Sequence, residues 1–281
     1  LRIHSKDELY RWLESVSYYR LRGYTYPFQE AHGDHRFTKT LTQEHLKQRY
    51  EFDRRLRVHL IEGLDHIEIL FRTQLGLHMS TTAGSHWYED RTLFADRKKH
   101  RNDLHHIDRE INRASEVFLT YFFGNYDSPS RPPSWMVLEV LSFGTMSKVF
   151  ENLRQSLEGK KAITSRFGFG TKGSRYLSSW LRTLVTVRNH CAHHARVIDR
   201  KFVNVPTYAE SIGGHRWHRR WPDARRVYTI ITMIAAILDR IPETDQWKQR
   251  SASLLRNHEG VTLAEMGVPE NWEKEPLWSS Q

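Results

Sequence analysis

Three observations make the sequence read as an all-α helical bundle built on long helices. Apolar residues recur at steps of three and four along most of the chain, which is the period of one helix face. Alternating segments of useful length are missing, as are the Asn-Gly and Asp-Gly pairs of tight hairpins. Proline and glycine gather at a few breaks between the periodic segments, with no repeat and no low-complexity tract.

From the N-terminus, residues 1–44 contain YYRLRGYTYPF, read as a short helix running into a packed irregular turn, and form an N-terminal extension on the bundle. In 45–79, Phe52, Leu56, Leu60, Leu64, Ile67, Phe71 and Leu75 mark one face of a helix long enough to span a domain. A second helix is expected over about 98–122, with Ile107, Ile111, Ala114, Phe118 and Phe122 on its stripe. DSPSRPP (127–133) breaks the chain, and its prolines suit the first turn of the next helix. Leu138, Leu141, Thr145, Val149 and Leu153 predict that third helix from Trp135 to Leu153. After the loop GFGTKG (168–173), a fourth carries Leu177, Leu181, Leu184, Cys191 and Ala195. A fifth, Val227 to Ile241, is ended by Pro242. This divides the chain into the extension 1–44, a bundle over 45–241 and a C-terminal extension over 242–281.

Composition narrows the function classes. The chain has 43 Lys+Arg against 33 Asp+Glu, a formal charge of +10, which favours a polyanionic partner: RNA, DNA or an anionic membrane surface. With 38% hydrophobic and 12% aromatic residues spread throughout, disorder is not expected. The most apolar run, YTIITMIAAIL (228–238), falls short of the roughly 20 residues of a membrane span, so no membrane partner is expected. No secretory leader is visible in a chain that opens on Leu1. The lone cysteine, Cys191, allows neither an intrachain disulfide nor a cysteine-based zinc knuckle and suits a reducing, cytoplasmic setting.

One position breaks the apolar pattern. In the fourth helix the stripe 177, 181, 184, 188, 191, 195 places Arg188 where an apolar residue belongs. A guanidinium on a core face must be paired or must face an anion. Asn189, His190, His193 and His194 stand beside it. Arginine stabilises the charge of a pentacoordinate phosphorane, and imidazole moves protons near neutral pH, so the cluster has the chemistry of a phosphate-cleaving site. The plain alternative pairs Arg188 with a carboxylate such as Glu139 and leaves the histidines solvated. On an ideal helix Arg188 and His193 lie about 140° apart, so a distorted helix or a second copy is needed to complete one pocket. His190 and His194 have the i, i+4 spacing of zinc proteases, but Cys191 stands where that pattern needs glutamate and a third ligand is lacking; no metal and no cofactor are expected.

RNHCAHHARVIDR (188–200) resembles the signature of the Abi-like (AbiD/AbiF type) abortive-infection protein family of the HEPN superfamily. SYYRLRGYTYPF (17–28), YEFDRRLRVHLIEGLDHIEILFRTQL (50–75), PPSWMVLEVLSFGTMSKVFENL (132–153) and MGVPENWEKEPLW (266–278) fit the same family. The resemblance implies a HEPN-type helical bundle, a homodimer, and metal-independent RNA cleavage at an Arg, polar residue, three residues, His motif matched by Arg188, Asn189 and His193. It implies attack of the ribose 2′-hydroxyl, leaving a cyclic phosphate and a 5′-hydroxyl, and association with a small noncoding RNA. Where the family often continues Leu-Trp-Asn after the arginine matching Arg196, this chain has Val197, Ile198 and Asp199, read as packing positions.

On this reading Arg188 binds the phosphate, His193 is general acid or base, and Asn189 orients His193 or the scissile phosphate. His194 and Glu139 are read as supports. Two segments are candidate RNA-binding surfaces: 215–226, where Trp217 and Trp221 interleave with Arg216, Arg219, Arg220, Arg225 and Arg226, and 47–57, with Arg54, Arg55 and Arg57. In each, tryptophan packing in the core and arginines on a solvated face are the plain alternatives. DRKKHRNDLHH (96–106) is a third basic stretch without aromatic interleaving. The function expected is a phage-defence endoribonuclease; the rival is a non-catalytic HEPN-like module that holds a structured noncoding RNA.

Overall fold

The computed structural model describes residues 1–30, 34, 36–213, 215–216, 221, 223–242 and 244–279. The chain enters through α1 (Lys6–Val16) and α2 (Tyr18–Arg22), followed by a 3₁₀ turn at Tyr26–Phe28. Leu21, Tyr24 and Phe28 are buried there, so the turn packs as expected, whereas Tyr18, Tyr19 and Tyr26 stay exposed. Thr42 then caps α3 (Gln43–Ala83) by accepting from the His45 amide at 3.1 Å. This 41-residue helix is longer than its apolar stripe alone indicates, and every residue of that stripe is buried.

The expected second helix is two, α4 (Arg97–Arg113) and α5 (Val117–Asn125), because Ala114 and Glu116 take extended backbone. The expected third is also two, α6 (Ser134–Val140) and α7 (Phe143–Asn152). Side chains from other helices hold that break open. Arg72 donates to the Leu138 and Leu141 carbonyls at the end of α6, and the Glu110 carboxylate accepts from the amide and hydroxyl of Ser142 and from Thr145 at the start of α7. Then come α8 (Glu158–Arg166) and α9 (Ser174–Ala192), the predicted fourth helix. A two-residue strand pair, β1 (Ser211–Ile212) and β2 (His215–Arg216), ends at the start of the basic segment 215–226.

All twelve residues of α10 (Val227–Leu238) are buried, as a helix that is apolar on every face apart from two threonines requires. It ends at Leu238, three residues before the expected Ile241. The C-terminal segment adds α11 (Asp245–Arg256), α12 (Leu263–Met266) and α13 (Pro276–Ser279). The helix α3 is the axis of the all-α fold, packing against α6, α7, α8, α9, α10 and α11. Among the described residues no helix is long and apolar enough to cross a membrane.

Candidate active site

The core stripe of α9 runs through Leu177, Leu181, Leu184, Val187 and Cys191, all buried. Steps of 184, 187, 191 and of 184, 188, 191 are equally good helix faces, and the core takes Val187. This corrects the placement of Arg188: its side chain is 44% exposed at the edge of the face, not set into the core. It pairs loosely with Glu68 of α3 at 3.7 Å, and not with Glu139, which is exposed on α6. Asn189, His193 and His194 are exposed as well.

The end of α9 shapes the motif. The helix stops at Ala192, and its last carbonyls are closed by a Schellman turn: the Ala195 amide donates to His190 O at 2.8 Å and the His194 amide to Cys191 O at 3.0 Å. The turn needs a left-handed residue, a place usually taken by glycine, and His194 fills it at φ 56°. His194 has therefore left the helix and no longer shares a face with His190. His190 points its Nδ1–H back to Thr186 O at 2.7 Å and sets its ring edge-on to Phe202, so its ring is bonded within its own helix. Among the described residues no three His, Cys, Asp or Glu side chains gather as a metal-holding group. The site at the end of α9 thus offers one lightly paired guanidinium, an amide and an exposed imidazole, the groups that bind a phosphate and shuttle a proton.

Two residues that the sequence motifs do not single out hold this turn in place. Asp53 of α3, fully buried, accepts from the Val197 and Ile198 amides at 2.9 and 2.8 Å through one oxygen. Its other oxygen accepts from the Tyr24 hydroxyl at 2.6 Å and from Arg57. One carboxylate thereby ties α3, the N-terminal segment and the chain leaving α9. Burial, and after it the Asp53 charge, raises the Tyr24 hydroxyl above its ordinary range and pushes the Cys191 thiol up to about 12, so neither ionises near neutral pH. Val197 and Ile198 are buried, the packing positions expected of them, and Asp199 pairs with Arg226 at 2.9 Å. The second such residue is Arg20 of α2, whose Nη1 donates to His194 O at 2.6 Å. The i, i+4 spacing of Asp53 and Arg57 is the available signal for the first; nothing local signals the second.

The basic segments fare unevenly. Arg57 is buried on Asp53 and Arg226 is engaged by Asp199 and Asp223, so both hold the fold together. Trp221 is buried between Trp180 and Tyr208, a packing role. Arg54, paired with Glu51, and Arg55 and Arg225 are exposed. Trp217, Arg219 and Arg220 lie outside the described residues, as does the side chain of Arg216. In the third stretch, Arg97, Lys98, Lys99 and Arg101 are exposed, whereas His100 is buried on Phe94 and bonded to Tyr88 O at 2.8 Å.

A sequence profile of the Abi-like protein family matches residues 11–199, from α1 through the whole 188–193 motif. The chain belongs to the Abi-like protein family. No curated protein and no solved structure matches it. Membership in this abortive-infection family connects the chain to phage defence, and the family match includes the turn that presents Arg188, Asn189 and His193.

Proposed function

We propose that this Abi-like protein is a metal-independent endoribonuclease of the HEPN type, acting in the cytoplasm as a homodimer, associated with a small noncoding RNA and serving abortive infection. The observation that carries the reading is the exposed Arg188, Asn189 and His193 set, held at the end of α9 by the Schellman turn and by Asp53.

In the reaction, Arg188 holds the scissile phosphate and stabilises the charge that gathers on it. An imidazole takes the proton of the ribose 2′-hydroxyl, the 2′-oxygen bonds to phosphorus, and the bond from phosphorus to the 5′-oxygen breaks. An imidazolium returns a proton to that 5′-oxygen, so the products are a 2′,3′-cyclic phosphate and a 5′-hydroxyl. The helix keeps its regular turn up to Ala192, so Arg188 and His193 leave it about 140° apart. A two-fold pairing of α9 with α9 brings two such sets together and supplies one imidazole as base and one as acid. Glu68 keeps Arg188 at the site without neutralising it tightly, since their closest approach is 3.7 Å.

The test is His193→Ala. It is expected to remove cleavage of RNA, by about a hundredfold or more, while leaving the melting temperature and the sedimentation of the protein unchanged. Full cleavage by His193→Ala contradicts the assignment. Cleavage absent from both forms, with RNA binding retained, returns the chain to the non-catalytic RNA-holding reading.

A further inference from the structure

The hydrogen bond from Arg20 to His194 O brings α2 to the motif from the opposite end of the chain. The rest of α2 is arranged for more than capping. Ser17, at the junction of α1 and α2, has φ 67° and ψ 148°, a strained conformation for a non-glycine residue. The bend starts α2 as a separate short helix and leaves Tyr18 58% and Tyr19 81% exposed, their rings edge to face at 5.5 Å. Two adjacent aromatic rings in water, next in sequence to the arginine that reaches His194 O, have no packing function in the single chain. Arg20 uses one of its five N–H donors on His194 O, its side chain is exposed, and among the described residues it has no carboxylate partner. It is anchored by one nitrogen and open on the others.

We infer that α2 is the substrate-gripping arm of the site, taking single-stranded RNA: the free side of the Arg20 fork binds a phosphate next to the scissile one, and Tyr18 and Tyr19 stack on an unpaired flanking base. Aromatic stacking on bases combined with arginine on phosphates is the general chemistry of single-strand recognition, and base pairing hides the faces that stack. The excess of positive charge on the chain matches this ligand rather than an apolar one.

This inference rests on the nucleolytic reading, and its test separates the two. The probe is a short single-stranded RNA methylated at every 2′-oxygen, which cannot be cut by 2′-attack, with its dissociation constant read by fluorescence anisotropy. Tyr18→Ala/Tyr19→Ala and Arg20→Ala are each expected to weaken binding about tenfold or more, and Arg20→Lys to recover part of the loss. The same RNA annealed to its complement is expected to bind wild type and the tyrosine variant alike. With unmodified RNA, the variants are expected to raise KM more than they lower kcat. A purely capping Arg20 instead lowers the melting temperature and leaves the dissociation constant unchanged, which overturns the inference. So does wild type that fails to bind the probe, or a tyrosine variant that binds RNA normally but loses self-association, since the rings then belong to a second copy. Wild type that binds the probe through α2 yet cuts no RNA defeats the nucleolytic reading and leaves the arm standing; cleavage with KM unchanged in every variant does the reverse.

Discussion

At the residue scale the site depends on a buried carboxylate. Asp53 meets four donors from three parts of the chain, and two of them are the backbone amides just past the turn that ends α9. Asp53→Ala strands the buried Arg57 guanidinium and leaves the Val197 and Ile198 amides unpaired. Its expected cost is about 3–5 kcal/mol in urea unfolding, with RNA cleavage lost even under conditions where the variant remains folded. The same neighbourhood shows what a sequence discloses. An i, i+4 Asp-Arg pair is visible in YEFDRRLR, yet Arg57 reads as a cation for RNA because nothing local says that this turn of α3 faces inward. Arg188 reads as a core position because 187 and 188 continue the stripe equally well; the partner that decides its surroundings, Glu68, lies on another helix.

At the element scale α3 organises the fold, and the tolerance along it is small where helices approach most closely. A Cβ on Gly63 meets Ile234 of α10 at 2.6 Å and Trp247 of α11 at 2.7 Å. Gly63→Ala is therefore expected to destabilise the protein by about 1–3 kcal/mol, read as a lower urea midpoint, even though alanine favours a helix. The apolar stripes of α3, α9 and α10 are legible because burial on one face imposes the period. The breaks within the second and third predicted helices are not, because the side chains that close the ends of α6 and α7, Arg72 and Glu110, come from distant positions. The end of α9 belongs to the same class: Ala195 looks like the next step of the stripe, and only the left-handed His194 shows that the helix has stopped.

At the scale of the whole molecule, pH couples to stability through a histidine remote from the site. His59 is buried, stacked on Trp247 at 4.3 Å and bonded to the Ser251 hydroxyl at 2.7 Å; burial, then the Arg250 charge, lowers its pKa from 6.5 to about 4. Above pH 6.5 both folded and unfolded chains hold it neutral. As pH falls through 6.5 the unfolded chain takes up a proton that the folded chain refuses, so stability declines until about pH 4, by up to ~3 kcal/mol. His59→Phe is expected to flatten that part of the urea-unfolding profile, and an unchanged slope contradicts the assignment. The positive balance of 43 against 33 is legible in the composition, and it remains a property of the surface as a whole. Its distribution is legible only in part, since arginines that look alike in sequence are divided between buried pairs such as Arg57 and Arg226 and open ones such as Arg20, Arg55 and Arg225. The most direct measurement of the central claim is incubation of the purified protein with RNA in the presence of excess EDTA, followed by analysis of the new ends. Cleavage that persists in EDTA and leaves 2′,3′-cyclic phosphate and 5′-hydroxyl ends is the predicted result; cleavage abolished by EDTA, or leaving 5′-phosphate ends, contradicts it.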